Sequence, residues 1–291
     1  MRVAGFLFIR NAIKYDYPVL EAIRSILPLC DEVFVSIGNS EDETAVLIRS
    51  LESPKIHISY SVWDDSLRAG GRVLAVETDK AFDRIPPNVD WCIYIQADEA
   101  IHEDDYAAIR ANMEKYKDDQ RVEGFLFNYW HFYGSYDYVG DSRRWYSHEI
   151  RIIRNDKQIR SYRDAQGFRK NGRKLQVKLL DASIYHYGWV RHPMNQLKKH
   201  LDFEKLYGGD KWAKEVSKNN DFDYSGIDSL QKFTRSHPRV MQDLISRKDW
   251  NFSIDISKKK FTLKGRLLHW IEKYTGKRLF EYRNYRILHG I

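Results

Sequence analysis

Short apolar runs alternate with amphipathic stretches along the first third of the chain. "RVAGFLFI" near the start and "EVFVSI" (32–37) read as buried strands, because consecutive apolar side chains point to both faces. Between them Val19, Leu20, Ile23, Ile26 and Leu27 recur at helical spacing, with Pro18 placed near the helix start. A helix carrying Val46, Leu47, Ile48 and Leu51 leads to a third strand, "KIHISY", and a helix over Gly71 to Phe82 leads to a fourth, "WCIYI". This alternation predicts an α/β fold with a mostly parallel central sheet and helices on both faces, a three-layer sandwich related to the Rossmann type. In such sheets ligands bind at the carboxyl ends of the strands. The first four strands end in Arg10 and Asn11, in "GNSEDET" (38–44), in "SVWDD" (61–65) and in "QADE" (96–99), so these polar clusters should gather along one edge as a single site.

Past Glu99 the pattern changes. "EGFLFNYWHFYG" (123–134) is an aromatic strand, "SHEIRIIRN" (147–155) alternates with period two as a half-exposed strand would, and "ASIYHYGWVR" (182–191) is a further aromatic strand. From His192 onward helices separated by polar loops are expected. In the last segment (257–291) basic and aromatic residues interleave, and Leu267, Leu268, Trp270, Ile271 and Tyr274 can share one helix face. The sequence holds no internal repeat and no low-complexity linker.

At 291 residues, 43% hydrophobic and 31% charged, the chain can bury a core of one large domain, with or without an appendage. No apolar run approaches the roughly 18–20 residues that cross a bilayer. "MRVAGFLFIRN" is too short and too quickly charged for a signal peptide, and a cytoplasmic protein is expected. Cys30 and Cys92 stand in apolar stretches without metal-ligand spacing and read as buried thiols. A formal net charge of +7 suits a polyanionic partner or an anionic membrane surface.

The ordered segments "IRNA", "GNSEDET", "DWCIYIQADE" and "IYHYGWVR" resemble the GT-A glycosyltransferases of the family 2 type, bacterial enzymes that move a sugar from a nucleotide diphosphate donor to an acceptor. The resemblance covers roughly residues 1–190. It implies a GT-A-like domain over 1–191, with a nucleotide-sugar-binding half over about 1–100 and an acceptor half over about 101–191, followed by a helical C-terminal extension over 192–291. The family's nucleoside-binding segments match Arg10 and Asn11 after the first strand, and Asn39, Ser40, Asp42 and Thr44 after the second. Ile37 and Gly38 replace the family's leading acidic positions. The D-x-D motif that carries metal and donor diphosphate reads here Gln96, Ala97, Asp98, followed by Glu99, so its first carboxylate is missing.

The need for such a motif is chemical. Breaking the bond between sugar C1 and the β-phosphate oxygen leaves a diphosphate with added charge, which Mg²⁺ or Mn²⁺ offsets, and these hard cations take oxygen ligands partly from the diphosphate itself. Asp98 is the first candidate ligand. Gln96 can coordinate through its carbonyl or bond the ribose, which lowers the site's negative charge and its metal affinity. The competing role for Asp98 and Glu99 is to cap the helix of "HEDDYAAIRANM". A late-strand histidine closes the metal site in many GT-A enzymes, which makes His186 the second candidate, against a plain core histidine. An Asp98–His186 site of mixed oxygen and nitrogen donors suits Mn²⁺ better than Mg²⁺.

Transfer with inversion needs a general base for the acceptor hydroxyl. The resemblance implies an Asp or Glu downstream of the metal motif. Asp164 in "YRDAQGFRK" is the candidate, with Glu149 and Asp181 behind it, and a backbone-bonded turn aspartate is the alternative. Retention of configuration would require no such base. Arg72 after "AGG", and Arg143, Arg144 and Trp145 in "DSRRWYSHEIR", can meet phosphate or a sugar ring, or they can be solvated. The expected partners are a nucleotide-sugar donor, taken as a UDP-sugar, and a glycan or lipid-linked acceptor. The basic and aromatic segment 257–291 either packs on the main domain or rests peripherally on an anionic membrane, at its inner face in the cell. Two other classes compete. A nucleotidyltransferase usually needs a glycine-rich loop after the first strand, which "FIRNAIKYDY" lacks. A nucleic-acid binder would meet repulsion from the acidic clusters on the predicted edge, and no nucleic-acid partner is expected.

Overall fold

The computed structural model describes residues 1–64, 66–67, 69–207 and 221–289, leaving aside the side chains of 69 and 203–207. Asp65 of the "SVWDD" cluster and the last two residues of the basic C-terminal segment lie outside these described residues.

Strands β1 (Val3–Ile9), β2 (Glu32–Ile37), β3 (Ile56–Tyr60) and β4 (Trp91–Tyr94) form from the apolar runs. They lie in the order β3-β2-β1-β4, each parallel to its neighbour. Helices α1 (Val19–Ile26), α2 (Thr44–Arg49) and α3 (Arg72–Asp83) make the crossovers. Strand β1 shows how the layers are specified. Its period-two alternation sends Val3 and Leu7 into one apolar cluster with Val19 and Ile23 of α1, and Ala4 and Phe6 into another with Val73 and Phe82 of α3. Each large apolar side chain buried this way stabilises the fold by ~1.5–3 kcal/mol, and a strand with core on both faces has to be apolar throughout. Cys30 and Cys92 are buried free thiols within these clusters.

The second half continues the sheet with antiparallel neighbours. It comprises β5 (Glu99–Ile101), α4 (Tyr106–Lys115), β6 (Gly124–Tyr133), β7 (Ser135–Gly140) and β8 (His148–Arg154). Strand β8 runs antiparallel between β4 and β6 and joins the two halves. Its polar–apolar alternation predicts one solvated face, yet both faces are covered, and Glu149 and Arg151 are only 7% and 1% exposed. The strand tolerates this because Arg151 finds a carboxylate inside the protein. Strands β9 (Ile159–Ser161), β10 (Phe168–Lys170) and β11 (Arg173–Lys174) form a separate small antiparallel sheet. Strand β12 (Gln176–Trp189) runs parallel to β6 and antiparallel to β5, and sets His186 beside His131 on one side and Glu99 on the other.

After 192 the chain carries helices α5 (Pro193–Tyr207), α6 (Gln242–Ser246) and α7 (Leu263–Thr275). It also adds two short strands that alternation does not reveal, β13 (Leu230–Lys232) against β7 and β14 (Arg286–Ile287) against β12. Among the described residues no helix is long and apolar enough to cross a membrane.

Candidate active site

The carboxyl ends of β1 and β4 open into a cavity of about 710 Å³, which β8, β12, α5 and the 164–166 turn complete. Arg10, Asn11, Gln96, Asp98, Glu149, Asp164 and His186 all line it, so seven of the residues singled out in the sequence are brought together.

The first wall is made by the turn after β1. Asn11 adopts a left-handed conformation (φ 57°), which asparagine tolerates better than most residues. Its Oδ1 accepts from Glu41 N at 2.7 Å, and its own N–H donates to Ser40 Oγ at 3.0 Å. Asp42 accepts from Lys14 N at 2.7 Å and Thr44 Oγ1 from Ala12 N at 2.8 Å. Ser40 and Asp42 therefore hold the β1 turn in shape and do not themselves line the cavity. Asn39 does similar work for Trp63, accepting from its N–H at 3.2 Å. Gly38 stands where the resembled family has an acid, and the space a Cβ would need is filled by the Trp63 indole. That indole packs on Phe8 and lies under the Arg10 guanidinium, 5.4 Å from its centroid, which forms a flat, positively charged platform.

At the end of β4, Asp98 is 7% exposed and tied into the fold through its backbone, its carbonyl accepting from Tyr187 N at 2.7 Å. Its two carboxylate oxygens face different partners. Oδ1 lies 3.8 Å from His186 Nε2, beyond hydrogen-bond range. Oδ2 accepts from Lys199 Nζ at 3.1 Å and lies 3.7 Å from Arg191 Nη2. Burial alone would raise the Asp98 pKa, but Lys199, His186 and Arg191 more than offset it and hold the carboxyl well below its usual range. Lys199 pays in turn: burial, with Arg191 adding to it, lowers its ammonium to about 8. Arg191 is anchored by donating from Nε to the carbonyls of Tyr15 (2.8 Å) and Asp16 (3.2 Å). Its Nη2 is buried without a hydrogen-bond partner among the described residues.

His186 is oriented from behind. His131 Nε2 lies 2.9 Å from the Tyr146 carbonyl, which only accepts, so this nitrogen carries the proton. Burial, reinforced by His186, pushes the His131 pKa well down, so its Nδ1 is an acceptor for His186 Nδ1–H at 3.2 Å. The lone pair of His186 Nε2 then points toward Asp98. A histidine whose second nitrogen is fixed in this way is the usual arrangement for a metal ligand. Gly188 keeps the adjoining space open, since a Cβ there would come within 2.5 Å of His186 Nε2 and 3.0 Å of Asp98 Oδ2. One carboxylate oxygen and one imidazole nitrogen converging on open space fit a divalent cation whose other ligands come from a diphosphate and water. Among the described residues no group of three or more His, Cys, Asp or Glu side chains is placed to hold a metal ion by itself.

Glu99 belongs elsewhere. Its two oxygens accept from Arg151 Nη2 and Nε at 2.8 Å each, and the Tyr129 hydroxyl donates to Oε1 at 2.7 Å. It neither faces the cation position nor caps a helix, because the turn before α4 is capped by His102. Glu149, buried on the cavity wall, has its pKa pushed up to about 8 by burial, only partly countered by Arg151. The native state therefore keeps a proton that the unfolded chain gives up above its ordinary value of 4.5, so stability drains away as pH rises from about 4.5 to about 8. Glu149→Gln removes this dependence. The stability of the variant relative to wild type should grow by ~1.4 kcal/mol per pH unit inside that window, measured by denaturant melts at stepped pH.

Asp164 sits in a turn bounded by left-handed Arg163 and Ala165 (φ 57° and 63°) and receives Gln166 Nε2 at 3.3 Å. It borders both the main cavity and an adjoining cleft of about 700 Å³ that contains Arg72, Asp79 and Arg163. Arg72 therefore lies outside the main cavity. Arg144 and Trp145 line a second annex of about 480 Å³ next to His186, while Arg143 is turned away to pair with Glu272 at 3.1 Å. Asp181 is exposed on β12 and is absent from the cavity wall. Lys199, Arg191 and His131 escaped the sequence reading. His131 carried a signal, since "NYWHFYG" sets a histidine among strand aromatics just as "IYHYGW" does. Nothing in "QLKKH" separates partly buried Lys199 from its exposed neighbour Lys198.

No protein-family model and no curated protein matches the sequence. Among solved structures the chain is similar to a fragment of S. aureus TarS in complex with UDP-GlcNAc, at 12% identity and a TM-score of 0.41 over 71% of this chain and 66% of that one. It is also similar to 4-diphosphocytidyl-2C-methyl-D-erythritol synthase from Anaerococcus prevotii, at 8% identity and a TM-score of 0.31 over 53% and 70% of the two chains. The chain spans 65% of a solved S. aureus TarS 1-349 fragment and 39% of the longer TarS. Likenesses this distant carry no weight for chemistry. The order β3-β2-β1-β4, continued by antiparallel β8 and with the cavity at the strand ends, is an α/β architecture with a mostly parallel half and its site at the carboxyl ends of the strands.

Proposed function

We propose that the protein is a glycosyltransferase moving a sugar from a nucleotide diphosphate sugar, a UDP-sugar, to a hydroxyl of a glycan or glycolipid, with metal assistance and inversion. The observation that carries this reading is the surroundings of Asp98: a cation position toward His186 on one oxygen, and Lys199 with Arg191 Nη2, which makes no hydrogen bond among the described residues, beside the other. A site that sets a cation and fixed positive groups around a gap is suited to a diphosphate and to little else of comparable size.

Asp98 Oδ1 and His186 Nε2 would hold Mn²⁺ or Mg²⁺, which when bound offsets the charge on the diphosphate. Lys199 and Arg191 offer further donors to the phosphate oxygens as the leaving group gains charge. The Arg10–Trp63 platform receives the nucleoside, with the turn at Asn11 ordered by Ser40 and Asp42. Gln96, on the wall before Asp98, is placed to bond the ribose or coordinate through its amide oxygen. The acceptor hydroxyl attacks C1 as the bond to the β-phosphate oxygen breaks, and Asp164 takes the hydroxyl proton, so the diphosphate departs with the electron pair. The cleft that shares Asp164 with the main cavity gives the acceptor its approach. Glu149, which holds a proton at neutral pH, is unsuited to that role.

Asp164→Asn tests the assignment. Donor binding should survive and turnover should fall by ~10²-fold or more, the scale of a lost general base. Unchanged turnover, or equal loss of binding and turnover, would remove Asp164 from the chemistry.

A further inference from the structure

Helix α7 exposes the side that an amphipathic helix normally buries. Leu263, Leu267, Trp270 and Tyr274 form a single row along it and are 85%, 59%, 56% and 69% exposed. The opposite side is fastened to the body: Glu272 pairs with Arg143 at 3.1 Å and with Arg278 at 3.0 Å, and Arg278 Nη2 donates to the Trp145 carbonyl at 2.9 Å. Thr262 caps the start by accepting from Gly265 N at 3.1 Å, and left-handed Gly276 ends the helix, so the row is held in a defined orientation. Phe280, 90% exposed just beyond the helix, extends the apolar surface.

The charges around this row identify what covers it. Exposed Arg266 and Lys273 flank it on one side and exposed Lys264 on the other, while the helix's one acidic residue, Glu272, points inward into its ion pairs. We propose that this face is a membrane-docking surface that rests on an anionic lipid bilayer, the row entering the headgroup region and the flanking cations reaching lipid phosphates. A tryptophan and a tyrosine in the row, with long basic side chains at its margins, suit the depth at which apolar chains meet charged headgroups. A second copy of the chain would bring these same cations against one another, which disfavours self-association through this face.

The test is sedimentation of the full chain with phosphatidylcholine vesicles, with and without added phosphatidylglycerol. The wild type should bind the mixed vesicles, more weakly as salt is raised, and leave the neutral ones in the supernatant. Leu267→Ser combined with Trp270→Ser should lower binding by ~10-fold or more. Arg266→Glu combined with Lys273→Glu should abolish the preference for anionic lipid while circular dichroism stays unchanged. Failure of the wild type to bind anionic vesicles, or equal binding by folded variants, overturns the proposal. So does a wild-type dimer that the serine variant dissolves without any lipid binding, which would make the face an interface between copies. No glycosyl transfer is measured, so the outcome is independent of the proposed reaction.

Discussion

Replacing Asp98 with alanine should lower glycosyl transfer by ~10²–10³-fold, the scale seen when a group stabilising transition-state charge is removed. The variant should also change how the donor binds. Wild-type Asp98 is matched by Lys199 and Arg191, so its removal takes away the carboxylate that faces both cations. A diphosphate can then bind to those cations directly, and its binding should lose its dependence on Mn²⁺ even where some affinity remains. His186→Ala should share the loss of metal dependence while leaving the Asp98–Lys199 pair in place. Transfer kinetics at several Mn²⁺ concentrations check both variants. Full activity of Asp98→Ala with an unaltered Mn²⁺ dependence would take this carboxylate out of the mechanism.

The second large effect concerns stability. Arg151 and Glu99 are 1% and 0% exposed at the side chain and meet in a two-point ion pair, with the guanidinium also lying over the rings of Tyr94 and Tyr129 at 5.2 and 5.3 Å. Removing one partner strands a buried charge, so Arg151→Met should cost ~3–5 kcal/mol of folding free energy and lower the melting temperature by ~10 °C. The double replacement Arg151→Met with Glu99→Leu should recover most of that loss, because apolar groups of similar size can replace a buried pair without leaving a charge behind. Denaturant melts of the three proteins measure this directly. A cost under ~1 kcal/mol for the single variant would mean that water reaches the pair and that β8 is less enclosed than its packing indicates.

Those two carboxylates show where sequence reading reaches and where it stops. The parallel half was legible because β1, β2 and β4 are mainly apolar runs, and β2 begins and ends where "EVFVSI" does. The gathering of the strand-end clusters followed from topology alone. Asp98 and Glu99 are adjacent in sequence, however, and nothing local assigns one to the cavity and the other to the core. That division is made by Arg151, whose place beside Glu99 follows from β8 entering the sheet next to β4. The same long-range pairing explains why the alternation of β8 was misleading: period two marks a solvated face only when the polar residues lack partners inside. Lys199 was illegible for a related reason, since α5 supplies it from a stretch where lysines normally face water. On α7 the apolar residues divide between two sides, with Leu268 turned inward and Leu267, Trp270 and Tyr274 outward. Composition reveals such a helix but does not choose its face, which Glu272 sets through its ion pairs.

The most direct measurement is calorimetric titration of the wild-type protein with UDP, with and without Mn²⁺, alongside other nucleoside diphosphates. Saturable UDP binding that strengthens with Mn²⁺, and that loses this enhancement in Asp98→Ala, is the predicted result. Absence of binding by every nucleoside diphosphate in the presence of Mn²⁺ would contradict the account and leave the groups around Asp98 as a structural ion-pair network.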